Sequence, residues 1–401
     1  MVLARVEGHG AHAARLLTEA PPAEREMVLG VLRWQLTLDH LLAPHLRRAL
    51  AELDPHVRAI LRVGVYEAKR MRTPTPVAVA EAVRVARALA PRAAGFVNAV
   101  LRHAVSTAWP EPADPGLPLA IRTSHPDWLV RRWVALLGEG GAAAALAADQ
   151  EPAPLTLLAA VTDRERLTAA GCELHQHPDV PGVLVVGGGA GAAIAALRSG
   201  AAYAIDPAAV AVARLLPTAG GPTLDLAAAP GGKSLVLASE RPGIRLLAAD
   251  RSLRRSLLMR GNLRRLGRGA ALVVADAGAA PIRPASCDAV LLDAPCSGTG
   301  TLRRHPEIRW RLRPDDLPRL ADAQTRLARA AAGLLRPGGV LLYATCSLEG
   351  EENERVVERL GLEVLPVTTA LPSLALPSGG AVIPPGAVND GFTVHLLRRR
   401  G

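Results

Sequence analysis

The 401-residue chain is 49 % hydrophobic, which excludes a disordered polymer and leaves room for two or three domains with sizeable cores. Its formal net charge is +10, carried almost wholly by arginine, because Lys69 and Lys233 are the only lysines. That excess fits a phosphate-rich partner, or a drift toward Arg and Ala in a high-GC genome, and charge alone does not choose between them. The four cysteines, Cys172, Cys287, Cys296 and Cys346, form no CxxC pair, so no metal site is expected and a reducing cytoplasm is. The N-terminus carries no basic segment followed by an apolar core, and the alanine run 142–148 is too short to span a membrane.

In chain order, residues 9 to about 107 read as helices. Asp54-Pro55 is a cap followed by proline at the first helical position. Val57, Ile60, Leu61, Val65 and Ala68 then recur on one face, and Phe96, Val97, Val100, Leu101 and Val105 do the same later. Pro110, Pro112, Pro115 and Pro118 mark a linker. The expected domains are therefore an all-helical one over 1–120, a small α+β connecting segment over 121–216 opening with a helix at Pro126–Trp133, and an α/β domain over 217–401. In the last, strand candidates Thr223–Leu226, Arg245–Ala249, Ala271–Ala275, Ala289–Leu292, Val340–Tyr343 and Val394–Leu397 alternate with helices. That alternation predicts a doubly wound, mostly parallel sheet.

Three stretches carry chemistry. Leu224–Ser234 reads as strand, small-residue loop and helix start, where glycines let backbone N–H groups approach a ligand. Asp250 and Asp276 close the next two strand candidates, and such acids fit an adenosine-bearing cofactor. Asp293 and Cys296 follow the run Ala289–Leu292, and Cys346 ends a second run in the same way. Two thiols beyond strand ends, in polar small-residue loops, point to a nucleophilic role for at least one; Cys172 and Cys287 read as structural. The run Val183–Ala192 imitates a dinucleotide fingerprint closed by Asp206, but the helix between is too short for a crossover, so a Gly-rich turn is expected. Arg303–Arg311 interleaves arginine with Trp310, which either holds phosphates and stacks a base or forms a solvated basic turn with Trp310 in the core. Arg251, Arg254, Arg255, Arg260, Arg264 and Arg265 share one helix, some of them plain solvent-facing charge.

With AAPGGKS, LLDAPCSGTGTLRRHPEIRW and RPGGVLLYATCSLEGEENE in place, the chain resembles the RsmB (Sun/Fmu) type of 16S ribosomal RNA cytosine-C5 methyltransferases, in the NOP2/Sun family. The run GVLRWQLTLDHLL and Gly95–Arg102 resemble a NusB-like RNA-binding domain. The resemblance implies a class I Rossmann-like domain with S-adenosylmethionine as cofactor. It implies that Cys346 attacks C6 of the target cytosine and that Cys296 assists product release. The cofactor loop matches Ala227, Ala228, Ala229, Pro230, Gly231, Gly232 and Lys233, with Asp250 on the ribose and Asp276 and Asp293 lining the site. Asp293 is also expected at the cytosine edge, and Lys233 either depresses a thiol pKa or fixes the loop. The implied partner is 16S rRNA with its cytosine single-stranded or flipped out; a cytoplasmic monomer without membrane or obligate protein partner is expected. Ala227 stands where the family usually has cysteine, and Ala204-Ile-Asp-Pro207 departs from a more polar pattern. The alternatives are a transfer-RNA cytosine methyltransferase, a non-catalytic RNA-binding assembly factor and, on the Gly187 run, a dinucleotide oxidoreductase.

Overall fold

The computed structural model describes residues 2–9, 13–111, 114–217 and 220–400; Pro112 of the expected linker and residues 10–12 of the expected helical region lie outside them. The chain divides into two compact units, Met1–Pro152 with Leu302–Leu312, and Ala153–Thr301 with Arg313–Gly401.

The first unit is helical: α1 (Val2–His9), α2 (Ala13–Leu16), α3 (Pro22–Arg33), α4 (Gln35–Leu42), α5 (Pro55–Arg70), α6 (Thr75–Leu89), α7 (Ala94–Ala104), α8 (Leu119–Thr123) and α9 (Asp127–Ala148). Helix α5 starts as its sequence predicts, with the Asp54 carboxylate accepting from the N–H groups of His56 and Val57. Val57, Ile60, Leu61 and Val65 meet Val97, Val100 and Leu101 of α7 in one core. A Cβ on Gly64 would lie 2.8 Å from Leu101, so glycine there lets the two helices approach. Phe96 departs from the expected face and is 39 % exposed. Neighbouring positions on a helix sit about 100° apart, and Val97 takes the core side.

The helical unit does not end near residue 120. Thr37 of α4 donates to Ile121 O at 2.6 Å and Leu36 N donates to Ser124 Oγ at 2.9 Å, so α8 is tied to the bundle. Beyond α9, the segment Leu302–Leu312 completes this unit from far along the chain. Arg309 is 1 % exposed and donates to the carbonyls of Arg33, Ser124 and Asp149. Arg303 is almost as deeply buried and donates to Ala148 O, while the Trp310 indole donates to Leu32 O at 2.6 Å. These arginines therefore saturate helix-end carbonyls, which explains why a basic run is buried. Trp310 packs against the helical core, as the second of the two readings has it, although Arg303 and Arg309 are not solvated.

In the second unit, β1 (Thr156–Leu158), α10 (Arg164–Ala169), β2 (Glu173–Gln176), β3 (Val183–Gly188), α11 (Ala190–Ser199) and α12 (Pro207–Arg214) come first. The small sheet runs β1-β3-β2, antiparallel throughout. The strand before the fingerprint-like glycines thus lacks the parallel neighbour a dinucleotide fold requires. Gly189 serves packing instead: a Cβ there would meet Gly171 O at 2.1 Å.

The large sheet follows, with β4 (Pro222–Leu226), α13 (Gly232–Glu240), β5 (Arg245–Asp250), α14 (Leu253–Arg265), β6 (Ala271–Val274) and β7 (Cys287–Asp293). The chain then contributes α15 (Ile308–Arg311) to the helical unit and returns for α16 (Leu317–Leu334), β8 (Leu335–Thr345), α17 (Glu354–Glu358), β9 (Glu363–Leu365), β10 (Leu374–Ala375), β11 (Ala381–Ile383) and β12 (Phe392–Arg398). The order is β10-β11-β12-β8-β7-β4-β5-β6, with β9 on β12. Strands β4 to β8 are mutually parallel, whereas β12, containing the expected strand Val394–Leu397, runs antiparallel to β8. Along β7, Ala289 and Leu291 face one core and Val290 and Leu292 the other. Both faces are covered, so the strand reads as a continuous apolar run. This is the doubly wound, mostly parallel sheet that the alternation predicts, and the class I Rossmann-like domain that the resemblance implies.

Candidate active site

The chain after β4 crosses to β5 on one side, while β7 pairs with β4 on the other. Strand order reverses between β4 and β7, which opens a crevice at their carboxyl ends. A cavity of about 200 Å³ lies there, lined by Tyr203, Ile205, Asp225 and Asp293, by Ala227, Ala228, Ala229 and Pro230, and by Gly232 and Lys233.

The loop from β4 to α13 is held from below. Ala228 N donates to Ala249 O at 2.8 Å, and Ala229 N donates to the Asp250 carboxylate at 3.2 Å. Asp250 is 2 % exposed, and its other oxygen accepts from Ser252 N. Gly231 has φ +102°, and a Cβ there would meet Met259 at 2.7 Å, so only glycine fits. Asp276 is exposed and caps the turn 277–279 through Gly278 N at 2.7 Å. Gly231, Asp250 and Asp276 are absent from the cavity wall; they sit at or beyond the adjoining strand ends, β4 through β6.

Asp225 and Tyr203 escaped the sequence reading. Asp225 is 1 % exposed; one oxygen accepts from Ser234 Oγ at 2.5 Å and the other, Oδ1, has no hydrogen-bond partner among the described residues. Burial drives its pKa up, Ser234 and Lys233 oppose, and Asp293 and Asp250 add to the rise, leaving it at about 7. A ligand ammonium would donate to that oxygen, so the wall fits a methyl donor that carries an amino group. The native state keeps a proton on Asp225 that the unfolded chain loses near pH 4, so the native state binds more protons from about pH 4 to about pH 7. Stability contributed by this group is therefore lost as pH rises through that window. Asp225→Asn is expected to flatten the fall in unfolding free energy between about pH 4 and about pH 7, read by urea titration; an unchanged pH profile would refute it.

The four proposed catalytic residues converge. Cys296 Sγ and Cys346 Sγ are 3.3 Å apart, both partly accessible. Lys233 Nζ donates to Asp293 Oδ2 at 2.6 Å and lies 4.8 Å from the centre of the Phe392 ring. The terminal D-G-F stretch thereby gains a role, because its ring covers the ammonium. Burial opposes the Lys233 charge, but Asp293, then Cys346 and Asp225, outweigh it and raise its pKa. The hydrogen bond it shares with Cys346 pushes the Cys296 pKa well up, helped by burial and by the negative charges of Cys346, Glu352 and Asp293. The pair is therefore built so that Cys296 keeps its proton. Cys172 and Cys287 are buried away from this site, as expected of structural thiols.

Glu352, also missed by the sequence reading, joins the two cysteine loops. It is fully buried. Oε1 accepts from Ser297 N and Gln324 Nε2, each at 2.8 Å. Oε2 accepts from the hydroxyls of Ser297 and Ser347. These serines directly follow Cys296 and Cys346. Gly300 N donates to Cys346 O at 2.9 Å, a second tie between the loops.

Known proteins resemble this chain over most of its length. Residues 212–370 match the family model described as 16S rRNA methyltransferase RsmB/F, and residues 7–106 match the NusB family. The ribosomal RNA small subunit methyltransferase B of Thermus thermophilus is 36 % identical over 96 % of this chain and 92 % of its own length. The chain belongs to the RsmB/F family of rRNA methyltransferases. The protein of the same name from Klebsiella pneumoniae is 32 % identical over 94 % of this chain and 90 % of its own. Among solved structures, PH0851 matches with a TM-score of 0.78 at 24 % identity, covering 99 % of this chain and 97 % of that one. The RsmB/F family is one of S-adenosylmethionine-dependent methyltransferases. No described helix is long and apolar enough to cross a membrane.

Proposed function

We propose that this protein methylates C5 of a cytosine in 16S rRNA, with Cys346 as nucleophile. The observation that carries the reading is the 3.3 Å approach of Cys346 to Cys296 beside the Lys233–Asp293 pair. Cytosine C5 is a poor nucleophile, and a thiolate adding to C6 pushes electron density onto it. S-adenosylmethionine, when bound, offers the methyl on its sulfonium. Loss of the C5 proton to a base then lets the C6–sulfur bond break, expelling Cys346 as thiolate. Cys296, kept protonated by its neighbours, assists that release. Asp293, oriented by Lys233, meets the cytosine edge. The loop 227–233 presents backbone N–H groups to the donor, with Asp250 and Asp276 as ribose-side acids. The reacting ring must be unstacked, so the RNA is single-stranded or the base is flipped. The NusB-like helical unit binds RNA, and the protein works in the cytoplasm as a monomer.

Nucleotide-resolution mapping of 5-methylcytosine in RNA from cells with and without the gene tests the reading. The expected result is one gene-dependent site in 16S rRNA. Gene-dependent modification confined to transfer RNA, or none at C5, would overturn it.

A further inference from the structure

A cleft of about 1100 Å³ lies in the helical unit, apart from the residues of the candidate active site. Its volume exceeds the roughly 300–1,000 Å³ of single small-molecule sites, so it suits a stretch of polymer. Leu46, Leu53, Val57 and Val100 supply apolar lining. At its rim Phe96 is 39 % and Leu89 45 % exposed, large apolar surface that a helical bundle otherwise buries. The rings of His45 and His103, which also line it, stack 5.9 Å apart at 25°. Arg47, Arg48 and Arg92 line it too, all exposed and in none of the ion pairs found among the described residues. The cleft's one acid, Asp54, is committed to capping α5.

We infer that this cleft holds a single-stranded segment of the RNA substrate, with a base against Phe96 and phosphates on Arg47, Arg48 and Arg92. The chemistry discriminates. A peptide of ordinary composition has no use for three guanidinium groups without acids, and a folded duplex buries the base faces that the ring would stack on. Aromatic rim plus arginine is the combination that grips unpaired nucleotides regardless of sequence. The inference rests on the RNA reading above, but concerns binding and not the methylation step.

The test uses the full-length protein and a labelled oligouridylate of about a dozen nucleotides, titrated at several salt concentrations. Replacing Arg47, Arg48 and Arg92 together by serine is expected to reduce the slope of log affinity against log salt by about 2, at roughly 0.7 for each phosphate left without its cation. Phe96→Ala is expected to weaken binding by about 5- to 150-fold without changing the slope. Far-UV circular dichroism and thermal melting of the same preparations should match wild type and so report intact folding. An unchanged slope and affinity in both variants would overturn the inference, as would displacement of the oligonucleotide by duplex RNA of equal length or by an acidic peptide. The two readings fail separately. If no gene-dependent 5-methylcytosine exists yet the slope falls, the cleft stands and the reaction is wrong; if methylation maps to 16S rRNA and the slope holds, the cleft is wrong.

Discussion

Cys346→Ala is expected to lower methyl transfer by at least on the order of 10⁴-fold while leaving S-adenosylmethionine affinity unchanged. The size follows from the chemistry: without sulfur at C6, C5 gains no electron density and the donor meets an unactivated ring. Cofactor affinity is spared because Cys346 is not among the groups lining the cavity proposed for the donor. Cys296→Ala should fail differently. Addition and methyl transfer proceed, but release stalls, leaving a protein–RNA adduct that survives denaturing electrophoresis. The two thiols are 3.3 Å apart, so the contrast isolates role from position. Full turnover by Cys346→Ala would remove it as nucleophile. Normal turnover by Cys296→Ala with no adduct would remove Cys296 from release.

Glu352→Ala is expected to lower kcat by on the order of 10²-fold with little change in cofactor affinity. The carboxylate accepts from one backbone N–H, two hydroxyls and one amide, and two of those partner residues adjoin the cysteines. Removing it strands buried donors at about 1–3 kcal/mol each and frees the two loops to part. Glu352→Gln keeps acceptor and shape, so it should recover part of the rate. A readout independent of methylation is phenylarsine oxide, which needs two adjacent thiols to bridge. Its capture by Cys296 and Cys346 should weaken in Glu352→Ala and recover in Glu352→Gln. Wild-type kcat and arsenical capture in the alanine variant would show that Glu352 positions nothing.

The local patterns foretold most of the architecture because they are decided within a few residues. Apolar runs alternating with helices gave β4, β5, β6, β7 and β8, and the Asp54-Pro55 cap gave the start of α5. Cys296 and Cys346 were legible as a pair because each follows a strand, and strands β7 and β8 are parallel neighbours whose ends must coincide.

What sequence alone determined is the doubly wound sheet, the helical region before it, and the identities of the residues at the strand ends. Tertiary structure decided the rest. Arg303 and Arg309 read as solvent or RNA contacts, yet they end buried on helix-end carbonyls of residues more than a hundred positions earlier. Asp225 and Glu352 looked like ordinary acids, and only three-dimensional packing gave one an unpartnered buried oxygen and the other four donors. The physical reason is common to these cases. Periodicity reports which side of an element faces apolar surroundings, but a polar group's role depends on which distant donors and acceptors surround it, and spacing along the chain does not encode that.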